Sequence, residues 1–212
     1  MNHGHEIVII DNLSNSDWHA LDAIQEITQK KAAFVALDLT DKQALTDFFK
    51  TRSFGGTIHF AAFKAVGESM KCPMAYYRNN VLGMMNLLEF GDQLGSFIFS
   101  SSCTVYGLPD ALPIDETAPL KPSESPYGET KRMGEAMLKD WAVLEGHRAI
   151  ALRYFNPVGA HPSGLIGEKP VGVPGNLLPY LTQTAAGIRE SLRVFGQDYD
   201  TRDGTCIRDY ID

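Results

Sequence analysis

Ser125-Pro126-Tyr127-Gly128-Glu129-Thr130-Lys131 opens a helical run expected to reach about Glu145, and it follows a loop punctuated by prolines. Upstream, Ser96-Phe97-Ile98-Phe99 is a short apolar run with the pattern of a strand. It leads into Ser100-Ser101-Ser102-Cys103-Thr104-Val105-Tyr106-Gly107. Strand, loop and helix in this order are the repeating unit of parallel α/β sheets. Three hydroxyls at the end of an apolar strand are costly to bury unless a site satisfies their hydrogen bonds. Open α/β sheets place their ligands at the carboxyl ends of the strands. Ser102, furthest along, is therefore the candidate for substrate contact, whereas Ser100 and Ser101 read equally well as a serine-rich turn.

Tyr127 and Lys131 stand four residues apart, so on a helix they share one face. A phenol normally titrates near 10 and is a poor base at neutral pH. An ammonium within about 4–6 Å favours the phenolate. Such a pair is expected to move a proton to or from a substrate hydroxyl. The plainer alternative is two residues on an ordinary solvated helix face.

The rest of the chain repeats the alternation. Residues 6–10 form a continuous apolar run, the mark of a strand buried on both faces, and end in Asp11-Asn12-Leu13-Ser14-Asn15-Ser16. An acidic residue at the end of the second strand of a dinucleotide fold accepts hydrogen bonds from the adenosine ribose and repels a 2′-phosphate. Asp11 fits that role, and also fits a turn that caps the next helix. Residues 18–30 carry Leu21, Ile24 and Ile27 as a helical stripe. Residues 33–37 read as a strand ending in Asp38-Leu39, after which Thr40 and Gln43 form a capping box for a helix through Phe49. Residues 57–60 are another strand, running into Ala61-Ala62-Phe63-Lys64, small residues that let a ligand approach and a lysine that reaches a phosphate or ribose. A helical run over 73–90 holds Asn79 and Asn80 in its middle, where propensity disfavours them, and this marks them for packing or ligand contact. A strand over 149–155, a helix from Asn176 to about Gly187 and a short strand over 192–195 complete the pattern. The class is α/β with a mostly parallel sheet.

The 212 residues suffice for a real core, and 44% hydrophobic with 21% charged content is ordinary for a globular protein. Nineteen basic against 26 acidic residues give a net charge of −7 without a basic stripe, which argues against nucleic acid and anionic membranes as partners. No apolar run approaches the roughly 18 residues of a membrane-spanning helix. The three cysteines have no metal-ligand spacing, which suits reduced thiols in the cytoplasm.

Taken in order, the segments from Gly4 to Ser16, Phe63 to Ser69, Ser100 to Gly107, Ser125 to Lys131, Arg153 to Gly164 and Asp203 to Tyr210 resemble the UDP-glucose 4-epimerases. These are extended members of the short-chain dehydrogenase/reductase superfamily, and Arg153 to Gly164 is the most specific match. The resemblance implies a Rossmann-type parallel sheet flanked by helices, its first strand missing, with the start of a smaller C-terminal substrate domain. The implied division is an incomplete NAD-binding domain over residues 1–155 and a partial substrate-binding region over 156–212. It places NAD against Asp11, Asn12, Asn15, Ser16, Asp38, Leu39, Phe60, Ala61, Ala62, Lys64, Asn79, Tyr127, Lys131 and Phe155. It places UDP-glucose or UDP-galactose against Ser102, Tyr127, Asn156, Asn176, Leu177, Arg193, Phe195 and Arg208. Tyr127, Lys131 and Ser102 carry the chemistry, with no metal. A cytoplasmic homodimer is implied for the full-length family member.

The family's glycine-rich G-x-x-G-x-x-G turn and the strand before it do not occur in residues 1–6. The expectation is a fragment that neither holds NAD tightly nor turns over. The absent strand belongs between the strands at 6–10 and 57–60, so its loss leaves two edges unpaired or makes the sheet close up. Two rivals are another nucleotide-sugar epimerase or dehydratase of the superfamily, and a non-catalytic nucleotide-sugar binder. Against the dehydratase, Cys103-Thr104 stands where those enzymes carry acidic residues.

Overall fold

The computed structural model describes every residue except Asn2 and Glu145. The chain forms two compact units: residues 9–12 with 34–154, and residues 1–8 with 13–33 and 155–212. Strands β1 (Val8–Asp11) and β2 (Ala33–Ala36) make a two-stranded sheet, with helix α1 (His19–Thr28) between them in sequence. Helix α2 (Lys42–Phe49) begins at Asp41, whose Oδ1 accepts from the Ala44 amide at 3.0 Å. Thr40 is not the cap expected from the sequence, because its hydroxyl and amide both donate to Asp38 Oδ1 at 2.7 Å.

The organising sheet of the first unit is parallel, in the order β3 (Gly56–His59), β4 (Ser96–Ser102), β5 (Ala149–Tyr154). Phe97, Phe99 and Ser101 alternate onto the buried face of β4, as the two-residue period of a strand requires. Phe97 and Phe99 join Leu45, Phe48, Met84, Leu87, Leu138 and Trp141 in one hydrophobic core. On the other face Ile58, Ile98 and Ile150 stand in one row, with Ile58 and Ile150 more than half exposed. No ladder joins β1 to β3 among the described residues, so both strands keep an unpaired edge rather than closing up.

After β3 come α3 (Val66–Ser69) and α4 (Pro73–Tyr76), a π-helical stretch (Tyr77–Leu82), α5 (Gly83–Leu88) and α6 (Gly91–Leu94). The single helix expected over 73–90 is thus interrupted by a π turn at the two asparagines. A 3-10 helix (Cys103–Tyr106) follows β4, and helix α7 (Pro126–Ala142) packs on the sheet. The expected end of that helix at Glu145 lies outside the described residues. A Cβ at Gly134 would meet the Phe99 ring at 2.6 Å, so only glycine lets α7 sit this close to β4. That closeness sets the height of Tyr127 and Lys131 above the strand.

In the second unit β6 (Asn156–Pro157) pairs in parallel with β7 (Tyr210–Ile211), and α8 (Leu177–Ala185) starts after Asn176. The short strand expected over 192–195 does not form. Those residues make no ladder among the described residues, and Arg193 and Phe195 line a cavity instead.

Candidate active site

Ser125 accepts from the Gly128 amide at 3.1 Å, and Pro126 occupies the first helical position, where its missing N–H costs nothing. The cap starts α7 one residue before Tyr127, so the phenol lies in the first turn, beside the carboxyl end of β4. Lys131 is buried, with its Nζ 5.0 Å from the Phe99 ring centroid and 5.9 Å from that of Tyr127. Burial pulls its ammonium down to about 8.

The phenol behaves differently from the sequence expectation. Burial pushes Tyr127 above its ordinary value, and a hydrogen bond with Ser102 partly offsets the rise. Lys131 Nζ donates a hydrogen bond to the Ser100 carbonyl at 2.7 Å, two residues before the end of β4. Ser102 Oγ accepts from the Thr104 hydroxyl at 3.0 Å and from the Thr104 amide at 3.3 Å. With its lone pairs engaged, the Ser102 hydroxyl is left to donate toward the phenol. Ser100 and Ser101 belong to the strand and not to a turn.

Asn80, marked with Asn79 for packing or ligand contact, holds the loop after β3 to the first turn of α7. Its Oδ1 accepts from the Phe63 amide at 2.8 Å, and its Nδ2 donates to the Phe63 carbonyl at 3.0 Å and to Thr130 Oγ1 at 3.1 Å. Thr130 in turn donates to the Tyr127 carbonyl at 2.7 Å. One buried amide therefore ties the loop after β3 to the first turn of α7. Asn79 donates to Asn80 at 2.9 Å. The signal available in the sequence was the pair of asparagines in mid-helix, which did not say which of the two turns inward.

The other residues expected at the cofactor follow strand ends. Asp11 closes β1, Asp38 and Leu39 follow β2, and Phe60, Ala61, Ala62 and Lys64 follow β3. Asn12 Nδ2 donates to Asp38 Oδ2 at 2.9 Å. Burial raises the Asp38 carboxyl, but the bonds from Thr40 and Asn12 outweigh it and hold the group below its ordinary value. Asn15, Ser16 and Phe155 belong to the second unit.

That unit contains a cavity of about 1050 Å³ whose walls include Phe155, Asn156, Asn176, Leu177, Arg193, Phe195 and Arg208. Asn156 is fixed by donation to the Asp209 carbonyl at 2.7 Å, and Asn176 by donation to Glu168. No ion pair forms between Arg208 and Asp209 among the described residues.

A serine, a tyrosine and a lysine gathered at the carboxyl end of the middle strand of a parallel sheet define a protein of the short-chain dehydrogenase/reductase class. A family model described as GDP-mannose 4,6 dehydratase matches residues 1–212. The UDP-glucose 4-epimerase of Bacillus subtilis (strain 168) is 50% identical over 214 residues, covering 100% of this chain and 63% of the relative. That of Dictyostelium discoideum is 49% identical over 211 residues, covering 98% and 61%. The crystal structure of UDP-glucose 4-epimerase from Bifidobacterium longum in complex with NAD+ and UDP superposes with a TM-score of 0.94 at 43% identity, over 99% of this chain and 64% of that one. The chain belongs to the family this model describes and, within it, to the UDP-glucose 4-epimerases. It spans a little over three-fifths of the length of these relatives.

Proposed function

We propose that the protein interconverts UDP-glucose and UDP-galactose by reversible oxidation at C4 of the sugar, with NAD as cofactor. The observation that carries the reading is the convergence of Ser102, Tyr127 and Lys131 at the end of β4. Tyr127 accepts the proton of the C4 hydroxyl at its phenolic oxygen and returns it to the same oxygen after the sugar has presented its other face. Ser102, already oriented by Thr104, donates to the reacting oxygen. Lys131, buried against the strand, supplies the positive charge that favours the phenolate. Bound NAD supplies the acceptor and donor of the C4 hydride.

The residues present suit that cofactor. Carboxylates at adjoining strand ends, with Asp38 held ionised, match the hydroxyl donors of a ribose. The cavity of the second unit suits the nucleotide, because Arg193 and Arg208 are donors for diphosphate oxygens. Dehydration of a GDP-sugar is the reading its family model's description raises. The stretch Cys103–Tyr106 offers no carboxylate beside Ser102, and Thr104 there is spent on Ser102, which favours epimerisation. No helix among the described residues is long and apolar enough to cross a membrane, and Cys72, Cys103 and Cys206 form no disulfide among the described residues. The family resemblance supports a cytoplasmic setting and a homodimer.

The test is conversion of UDP-galactose, with added NAD, by the full-length parent protein and by its Tyr127→Phe variant. Substitution is expected to lower kcat about a thousandfold and to leave UDP affinity unchanged. Equal activity in both proteins rejects the reading.

A further inference from the structure

Helix α7 meets β4 at three successive turns, of which the proposed chemistry uses only two. Tyr127 faces Ser102, and Lys131 bonds the Ser100 carbonyl. One turn further on, Glu135 Oε1 accepts from the Ser101 hydroxyl at 2.5 Å. Residues spaced by four lie one above the other on a helix, so the three contacts form a single row along the strand end. Arg153 on β5, directly across the ladder from Ser101, closes on Glu135 as a fork, Nε to Oε1 at 2.9 Å and Nη2 to Oε2 at 2.8 Å, with a longer contact from Nε to Oε2 at 3.3 Å. Its remaining Nη1 donates to the Tyr106 hydroxyl at 3.0 Å, and the guanidinium lies 4.8 Å from the Tyr106 ring centroid. Tyr106 is the last residue of the 3-10 helix that starts immediately after Ser102. The residue before the serine and the helix after it are thus fastened to the same ion pair, whose side chains are only 20% and 11% exposed.

We propose that the Glu135–Arg153 pair is a positioning device that locks Ser102 from both sides against the helix carrying Tyr127. A buried ion pair is weak evidence for stability, since apolar residues of similar volume often serve as well. A bidentate fork that also reaches Tyr106 fixes directions, which apolar packing does less well. The proposal rests on the roles given above to Ser102 and Tyr127. Ser102 donation is what lowers the phenol against its burial, so a displaced serine shows as a higher phenol titration.

The charged and titratable groups packed round the phenol and the pair are Lys131 on α7, His59 on β3, and Cys103 and Tyr106 on the 3-10 helix. Any variant that changes net charge would shift the titration through their field. The test therefore uses two variants that do not: Ser101→Ala, and Glu135→Gln combined with Arg153→Met. Ultraviolet titration of each, minus the same protein carrying Tyr127→Phe, isolates the one phenol, and Ser102→Ala sets the scale. Both variants are expected to raise the phenol titration toward that of Ser102→Ala. Turnover of UDP-galactose by the full protein is expected to drop about tenfold or more, with KM within about twofold. A phenol titration unchanged from the parent protein overturns the proposal, whatever happens to the melting temperature. Should the double variant fail to fold, Ser101→Ala decides alone. If the parent protein converts no UDP-galactose, the epimerase reading falls while the titration still decides the positioning role.

Discussion

The two units hold their candidate residues in opposite ways. In the first unit Ser102 and Lys131 are buried, and each polar atom that matters is held by a named partner: Thr104 on Ser102, Ser100 on Lys131, Asn80 on Thr130. In the second unit Arg193, Phe195 and Arg208 are exposed on the walls of an open cavity, on backbone that forms no ladder. The buried half is ordered before any ligand arrives, as proton transfer over a hydrogen bond requires. The exposed half keeps its side chains hydrated, and a ligand has to order them on binding. Ordered polar contacts are thus stored in the core of the first unit, and long exposed side chains on the cavity walls of the second.

Four comparisons sharpen or break that contrast, in descending size of expected effect. Phe97→Ala empties a fully buried position of the core and is expected to cost about 3–4 kcal/mol in chemical denaturation. Phe195→Ala, at 81% exposure, is expected to change stability by less than about 0.5 kcal/mol. Equal effects would mean that the second unit is as tightly packed as the first.

Acid stability comes next. His59 is buried between Phe97 and Phe99, and burial holds its imidazole down to about 3, with a smaller contribution from Lys131. Below its ordinary value of 6.5 the unfolded chain takes up a proton that the folded protein refuses, so stability falls as pH drops from 6.5 toward about 3. The loss is on the order of 2–3 kcal/mol, and His59→Phe is expected to flatten it in denaturation curves measured across that window. An unchanged acid profile in the variant would show that His59 is not carried neutral in the core.

Arg208→Ala is expected to weaken UDP binding about tenfold, near 1.5 kcal/mol, by calorimetry, while leaving the melting temperature unchanged. A drop in melting temperature would place Arg208 in the scaffold and erase the distinction between the halves. Smallest, Ser125→Ala removes the cap of α7 and is expected to cost about 1 kcal/mol. Because that cap sets where the helix begins, kcat is expected to fall further than the stability change alone implies.

Much of this architecture was legible in the order of residues. Apolar runs bounded by turn residues located five strands to within three positions, and the Tyr127–Lys131 spacing placed both side chains on one face of α7. The local rules failed where two partners competed for one group. Thr40 looked like a helix cap until Asp38 took its hydroxyl. Lys131 shares its face with the phenol, but the hydrogen bond its ammonium donates goes to the Ser100 carbonyl. Residues 192–195 had strand composition but found no neighbouring edge to pair with, and a strand exists only through its partner.

Period and spacing by themselves determined the alternation of strands and helices, the parallel class and the face shared by Tyr127 and Lys131, because those follow from contacts within a few residues along the chain. Only the tertiary structure decided that Asn80 rather than Asn79 clamps the site, that Ser101 answers to Glu135, and that Arg153 reaches Tyr106 from a neighbouring strand. Each of those bonds joins residues between 17 and 50 positions apart. Their formation depends on how closely α7 and the π turn settle on β4, which no local pattern encodes.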